Sequence, residues 1–404
     1  MTSHLISILG LPLKDTTTGD RAYRRTTYRF PDGQEIETST FGMALSKWFG
    51  SRSGQALQFD RTLWLGTAQS AWGSLLQSVL GDEAINEPVF LELYDTGKAT
   101  PEQLLRLGEA LTIVTGQHHV CRIVPPCADS DEQGAFVSVL TDELKPRDRV
   151  VLDLTHGLRS QSLMLAQSAL MLEGAYRVRI AGLFYGGLEI PRPEGAPAPA
   201  VELTGLLQQA RLGQALAAFR VSGDLRVLAS EVPEGDHPEL KACIESLGHA
   251  LATNDFPQVR NHAEQAIELL SRPWASEVLG FLRGAVEDVA RQVQADYMAD
   301  SQLRVAEGAL SRRDYLRATT TAVEAVISDQ CDRTGRDKTD YQERMAAQRE
   351  LPNDNTWNDL EYIRNHIAHG FGGFAGIPEI VRNPQALEAS LTQGLVWCRN
   401  RIQE

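Results

Sequence analysis

Near its C-terminal end the chain reads EYIRNHIAHGFGG, Glu361 to Gly373, with two histidines, an arginine and an asparagine in one short apolar-lined stretch. Histidine is scarce, nine in 404 residues, and here two stand three positions apart. Histidine is the side chain whose ordinary pKa lets it move protons near neutrality. Arginine brings a fixed charge with a fork matched to phosphate oxygens. Cleavage of RNA by its own 2′-hydroxyl needs those two functions and no metal. Two other readings fit the same residues. One is a solvated helix end whose histidines suit the negative pole of the helix. The other is a metal held by His366 and His369, although the neighbouring sequence offers no obvious third ligand.

The spacing predicts a helix beginning near Asn355 or Thr356, which can cap it. It ends at Gly370, with Gly372 and Gly373 beyond. Trp357, Leu360, Ile363 and Ile367 form an apolar stripe; Asn358, Glu361, Asn365 and His369 lie opposite. Asn365 and His369 share a face, whereas Arg364 and His369 are separated by about 140° around a regular helix. Arg364 must reach round with its long side chain or meet its partners from a second copy of the helix.

The first half of the chain alternates strand-like and helix-like segments. HLISILG (4–10) and RTLWLGT (61–67) read as strands, and so do PVFLELY (88–94), HVCRIVPP (119–126) and DRVVLDLTHG (148–157). YRVRIAGLFYGG (176–187) reads as the last strand, and TTYRFPDGQEIETST as a hairpin turning at Pro31-Asp32-Gly33. The loop KDTTTGDRAYRR follows the first strand, and a helix is expected from about Ser70 to Leu80. This alternation predicts a Rossmann-like α/β domain over 1–190. No GxGxxG turn follows the first strand, so no dinucleotide cofactor is expected. A Pro/Ala stretch at 191–201 reads as a linker, and 202–404 carries apolar residues at helical spacing throughout. The expected architecture is α/β followed by all-α.

Within the α/β half, one apolar strand runs out through Asp153 and Thr155 into His156-Gly157, just ahead of a helix. Ligands of open α/β sheets bind at such strand ends, and the N-terminus of the next helix offers N–H groups to an anion. Gly157 lets the backbone come close, and Arg159 and Ser160 can donate to phosphate. WLGTAQSAW (64–72) repeats the pattern with Gly66, Thr67 and Ser70. Read singly, either turn is an ordinary strand-to-helix connection.

Composition limits the alternatives. With 42% hydrophobic and 23% charged residues the chain is of ordinary globular type. A net charge of −14 excludes coating of nucleic acid by bulk electrostatics, so any anionic ligand must be held by local donors. The five cysteines form no CxxC pair, the usage of a reducing compartment. The N-terminal residues lack the basic start of a signal peptide, and no stretch reaches membrane-span length. A cytoplasmic protein is expected.

Arg364-Asn365-His366-Ile367-Ala368-His369 resembles the R-N-x-x-x-H signature of HEPN-domain ribonucleases, which are helical and act without metal. The first half resembles the CARF domain of ancillary ribonucleases of type III CRISPR systems. ISILG, YRRTTYRF, LWLGTAQSAW, VLDLTHGLRS, LFYGG and VELTGLL carry that likeness. The order CARF then HEPN spans nearly the whole chain. The resemblance implies a dimer or higher homo-oligomer that binds a cyclic oligoadenylate activator, cyclic tetra-adenylate being the expected ring. It then cuts single-stranded RNA, with no cofactor, no metal and no stable association with the CRISPR effector complex. It implies Arg364 and His369 as the catalytic pair, with Asn365 as polar partner. For the activator it implies Gly10, Gly66, Thr67, Thr155, His156, Gly157 and Arg159. Leu9-Gly10-Leu11 stands where many relatives carry a small hydroxyl residue. Two other readings remain beside it: a CARF sensor or scaffold without nuclease activity, and a HEPN toxin not governed by a cyclic nucleotide.

Overall fold

The computed structural model describes residues 2–11, 23, 25–51, 58–232, 238–273, 280–370 and 376–403, without the side chains of 94–96. Of the expected loop at 14–25 only Tyr23 and Arg25 fall among these; Gly372 and Gly373 lie outside them. The chain divides into two compact units, Met1–Leu207 and Gln208–Glu404.

The first unit holds one sheet of eight strands. They are β1 (Ser3–Leu9), β2 (Thr26–Arg29), β3 (Glu35–Thr38), β4 (Arg61–Gly66), β5 (His118–Ile123), β6 (Arg149–Asp153), β7 (Arg179–Gly186) and β8 (Ala198–Glu202). Their order is β3-β2-β8-β7-β6-β1-β4-β5. The five strands from β7 to β5 run parallel. Five of the six residues of β4 and four of the five of β6 are buried, which is why these strands read as continuous apolar runs. From β1 the chain builds outward to β4 and β5, then returns to lay β6 on the other side of β1. The β1/β6 junction is therefore the switch point of the sheet, where the carboxyl ends of the strands open a crevice.

Helices α1 (Phe41–Ser51), α2 (Gly73–Leu80), α3 (Pro88–Thr96), α4 (Pro101–Thr115), α5 (Ser130–Glu143) and α6 (Arg159–Tyr176) complete the unit, with a 3₁₀ turn at Gly81–Asn86. Phe30, Phe41, Trp48, Phe49 and Phe184 form one aromatic core cluster. Trp64, Trp72, Leu75, Leu104 and Leu111 form another. The hairpin at Pro31-Asp32-Gly33 is present, with Gly33 at φ 85°.

Three expectations are corrected. PVFLELY is helical, because Pro88 has no N–H for a ladder and suits the first turn of a helix, while Val89 and Leu93, four apart, bury together. YRVRIAGLFYGG is not the last strand. The expected linker at 191–201 contains most of β8, which pairs antiparallel with β7 and parallel with β2. Its start is held by Arg192, whose guanidinium donates to the carbonyls of Gly187, Leu188, Ile190 and Ala196. The Pro/Ala composition concealed a strand whose backbone groups the sheet satisfies.

The unit boundary falls inside α7 (Thr204–Ser222). After it come α8 (Arg226–Ala229), α9 (Pro238–Ala252), α10 (Phe256–Leu270) and α11 (Gly280–Val293), then α12 (Met298–Ser311) and α13 (Tyr315–Thr334). The chain closes with α14 (Tyr341–Arg349), α15 (Asn355–His369), α16 (Ile377–Arg382) and α17 (Pro384–Gln403). These helices build two cores. Leu225, Ile244, Val259, Leu282 and Val286 belong to the first, and Val323, Trp357, Leu360, Ile363 and Leu391 to the second. Aspartates at 255, 314, 340 and 354 cap four of the helices through their side chains.

Two buried histidines make the fold sensitive to acid. His119 accepts from Trp64 Nε1 at 3.0 Å, and His156 Nε2 accepts from the Phe41 N–H at 3.2 Å. Burial pushes both from 6.5 down to about 4. Between those values the unfolded chain binds two protons that the native protein does not, so stability falls as pH falls. Asp153, raised to about 6 by burial, opposes this with one proton held by the native state. Burial lowers His4 beside Asp148 as well, so unfolding takes up at least one net proton, which costs about 1.4 kcal/mol per pH unit or more. The denaturant midpoint is expected to drop steadily from pH 6.5 to pH 4.5; a flat profile contradicts the assignment of two neutral buried histidines.

Candidate functional site

The carboxyl ends of β1, β4 and β6 bring together the three turns singled out in the sequence. Gly10 follows β1, Gly66 ends β4 with Thr67 behind it, and Thr155-His156-Gly157 follows β6. Gly10 and Gly157 meet across the switch point. A Cβ on Gly10 would stand 2.6 Å from Gly157 N and 2.9 Å from Gly157 Cα. A Cβ on Gly157 would stand 2.3 Å from Ile8 Cγ2, and its φ of 103° disfavours any L side chain. At the second turn a Cβ on Gly66 would meet Ser70 at 2.9 Å and Trp72 at 3.0 Å. All three positions require glycine for close approach.

Hydrogen bonds fix the turns from beneath. Ser70 Oγ accepts from the Thr67 N–H at 2.9 Å and donates to the Leu9 carbonyl at 2.8 Å, tying the β4 turn to β1. Trp72 Nε1 donates to the Thr67 carbonyl at 2.9 Å. Tyr23 Oη donates to the Gly10 carbonyl at 2.8 Å and accepts from the Gly10 N–H at 2.6 Å. A hydroxyl thus does reach the first loop, delivered by a tyrosine from outside Leu9-Gly10-Leu11. Thr155 Oγ1 accepts from the Gly186 N–H at 2.7 Å, linking β6 to β7.

The expected ligand residues divide into two groups. Thr67, Thr155 and Gly157 are half-buried at the crevice and Arg159 is exposed on the first turn of α6. His156 is different: it is 8% exposed, its ring stacks on Tyr23 at 4.5 Å, and its Nε2 is occupied by the Phe41 N–H. Its side chain supports the turn from inside, while its main chain belongs to the rim. The N–H groups of His156 and Gly157 find no acceptor among the described residues. Together with the first turn of α6 they form an array of donors suited to an anion.

Ser7 and Asp153 complete this floor. Both are fully buried, and Ser7 Oγ donates to Asp153 Oδ2 at 2.5 Å. The sequence signal for Ser7 was a lone hydroxyl inside the apolar run of β1. Asp153 was visible at the end of its strand but not as a buried group.

In the second unit α15 carries the Arg/His stretch. Its cap is Asp354, whose Oδ1 accepts from the N–H groups of Thr356 and Trp357, one residue earlier than expected. Gly370 ends it in the left-handed conformation at φ 73°. Trp357, Leu360 and Ile363 are buried, Ile367 packs against the same core, and Trp357 stacks on Trp397 at 6.1 Å. Arg364, Asn365 and His366 are half-buried and His369 is exposed. Among the described residues Arg364 has no carboxylate partner, and its Nε is buried without a hydrogen bond. Among them, too, no third histidine, cysteine or carboxylate joins His366 and His369 in a cluster able to hold a metal.

No family model matches the chain. It is 22% identical to the CRISPR-associated protein MJ1674 of Methanocaldococcus jannaschii, over an alignment of 289 residues. That alignment covers 66% of this chain and 44% of the relative, so the chain spans under half of that protein's length. Among solved structures, Csm6 of Enterococcus italicus bound to cyclic hexa-2′-fluoro-hexa-dAMP matches over 99% of this chain and 93% of its own, at 10% identity. At a TM-score of 0.39 that likeness establishes no common fold. The chain is thus similar, over 66% of its length, to one CRISPR-associated protein.

The glycine contacts give a stability test with its own control. Gly10→Ala drives a methyl into backbone that has no room to yield and is expected to cost about 1–3 kcal/mol. Gly134→Ala in α5, with nothing within 4 Å of its Cβ, is expected to be neutral or to stabilise by about 0.5–1 kcal/mol. Equal melting temperatures for the two variants would contradict the contact.

Proposed function

We propose that this chain is a CARF–HEPN ancillary ribonuclease of type III CRISPR defence. Cyclic oligoadenylate binds over the carboxyl ends of β1, β4 and β6, and α15 then cleaves single-stranded RNA. The observation that carries the nuclease reading is Arg364. A half-buried guanidinium with no carboxylate partner among the described residues is costly unless an anion is to meet it. Most arginines of the second unit with described contacts are paired, such as Arg333 with Asp329 and Arg344 with Glu324. Arg312 is in the same state, half-buried with an unbonded Nε; Arg364 differs in sharing α15 with Asn365 and His369, so a phosphodiester is the anion we assign to it.

In the mechanism we assign, His369 moves the proton of the attacking 2′-hydroxyl or of the leaving 5′-oxygen. Arg364 neutralises the charge that develops on the phosphorane, and Asn365 holds the scissile group by hydrogen bonding. Because Arg364 and His369 stand about 140° apart on one helix, a composite site drawing on two copies of α15 brings them together best. This makes a homodimer the working unit. On the sensor side, Gly10, Gly66 and Gly157 admit the phosphates to close range. Thr67 and Thr155, the N–H groups of His156 and Gly157, and Arg159 supply the donors. Relationship to a CRISPR-associated protein supports the cellular role.

Two tests follow. Arg364→Ala and His369→Ala are expected to lower RNA cleavage at least a hundredfold, with melting temperatures within a degree or two of wild type, on the order expected for non-core substitutions. Cleavage should persist in excess EDTA and leave 2′,3′-cyclic phosphate and 5′-hydroxyl ends. Loss of activity on chelation, restored by a divalent ion, would favour the metal-site reading of His366 and His369. Arg159→Ala is expected to raise the activator concentration needed for half-maximal cleavage while leaving the maximal rate unchanged. Unaltered activator dependence would place the ring elsewhere.

A further inference from the structure

The floor of the crevice holds a carboxylate that the assigned roles do not use. Asp153 is fully buried at the end of β6. Its Oδ2 accepts from Ser7 Oγ at 2.5 Å and its Oδ1 from the Thr155 N–H at 2.8 Å. Thr155 in turn accepts from the Gly186 N–H. Asp153 therefore ties β1 to the turn after β6, and through Thr155 to β7, beneath the N–H groups of His156 and Gly157 that find no acceptor among the described residues. Among the described residues no cation forms an ion pair with it. The ionisable groups that sense its charge are Tyr23 and Tyr28, both neutral and pushed further upward by burial. His156, three residues on, is buried and neutral, and Arg159 is exposed on α6.

This arrangement has two opposed consequences. As a hydrogen-bond acceptor, Asp153 holds Thr155 and so aims the turn. As a charge with no cation beside it among the described residues, lying beneath an anion site, it repels the ligand that the turn is shaped to receive. We infer that Asp153 is the positioning residue of this anion site and that binding of a phosphate-bearing ring is coupled to uptake of one proton by its carboxylate. The inference rests on the sensor reading above and extends it to a residue that touches no ligand. The neutral acid keeps the geometry: its hydroxyl can donate to Ser7 Oγ while the other oxygen still accepts from Thr155 N–H. Burial has already raised the group to about 6, within reach of such coupling near neutrality. Each unit by which the bound phosphates raise it further makes binding about tenfold tighter at acid than at alkaline pH.

The test compares wild type with Asp153→Asn, Asp153→Ala and Ser7→Ala. Binding of cyclic tetra-adenylate and of cyclic hexa-adenylate is measured by calorimetry between pH 5.5 and 8, in buffers of different ionisation enthalpy. Wild type is expected to bind more tightly as pH falls and to take up a proton near pH 6.5. Asp153→Asn, neutral and still an acceptor for Thr155, should bind severalfold more tightly than wild type at pH 8 and take up no proton. Asp153→Ala should bind at least tenfold more weakly than Asp153→Asn, because the turn has lost its tether. Should the alanine variant fail to fold, Ser7→Ala remains decisive: with one stabilising donor gone the carboxyl titrates higher, and the affinity profile shifts to higher pH. Wild-type binding of either ring without proton uptake, or an asparagine variant no tighter than wild type at pH 8, would overturn the inference alone. Absence of binding by wild type would overturn the sensor reading and this inference with it.

Discussion

The approach of Gly10 to Gly157 is the constraint on which the first unit depends. Two strands adjacent in the sheet, β1 and β6, send their chains out of the same edge, and no side chain fits between the two turns. Because the backbones nearly touch, polar main-chain groups lie at the rim where bulkier residues would cover them. The same closeness forces a buried polar floor. Ser7, Asp153 and Thr155 satisfy one another there, and Ser70 and Tyr23 satisfy the carbonyls and N–H groups that the turns turn inward. Each buried polar group without such a partner would cost on the order of 1–3 kcal/mol, so the network is a condition of the turns existing at all.

Charge poses the other general problem. A chain of net charge −14 is assigned two anionic ligands, a ring of phosphates and an RNA strand. Bulk electrostatics cannot gather them. At physiological salt, exposed charges are screened beyond about 8 Å, so what counts is the local donor set. The two units solve this differently. The first presents main-chain N–H groups and glycine-lined access, with Arg159 at the rim and the buried Asp153 carboxyl beneath. The second presents a guanidinium already partly out of water on a helix anchored by Trp357, Leu360 and Ile363. Desolvation makes such a charge stronger toward an arriving phosphate and more costly while none is present.

Much of this was legible in the sequence because it rests on local rules. Continuous apolar runs marked β1, β4 and β6 as buried parallel strands, and apolar spacing marked α15. Gly66 and Gly157 stand out in the sequence as turn residues, and Gly10 through the family resemblance. What they do to one another is a tertiary contact, and no local pattern reveals it. PVFLELY misled because a short apolar run fits a strand or a buried helix equally; Pro88 was the deciding residue. The stretch at 191–201 misled because proline and alanine suggest a linker, whereas β8 obtains its hydrogen bonds from β7 and β2. His156 shows a third limit. The family resemblance places it among the ligand residues, and its Nε2 accepts from the Phe41 N–H of α1, more than a hundred residues earlier, which leaves its main chain for the rim. Asp153 marks a strand end in the sequence, and its full burial cannot be seen from its neighbours there.

That one chain both senses a cyclic oligoadenylate and cuts RNA in response is tested by cleavage of a labelled single-stranded RNA by the purified protein, without activator and with each oligoadenylate ring size in turn. Slow cleavage alone and strong acceleration by one ring size are expected, with linear oligoadenylates of equal length much less effective. Cleavage of equal rate with and without every ring would contradict it and leave a ribonuclease under some other control, while binding of a ring without any cleavage would leave a sensor.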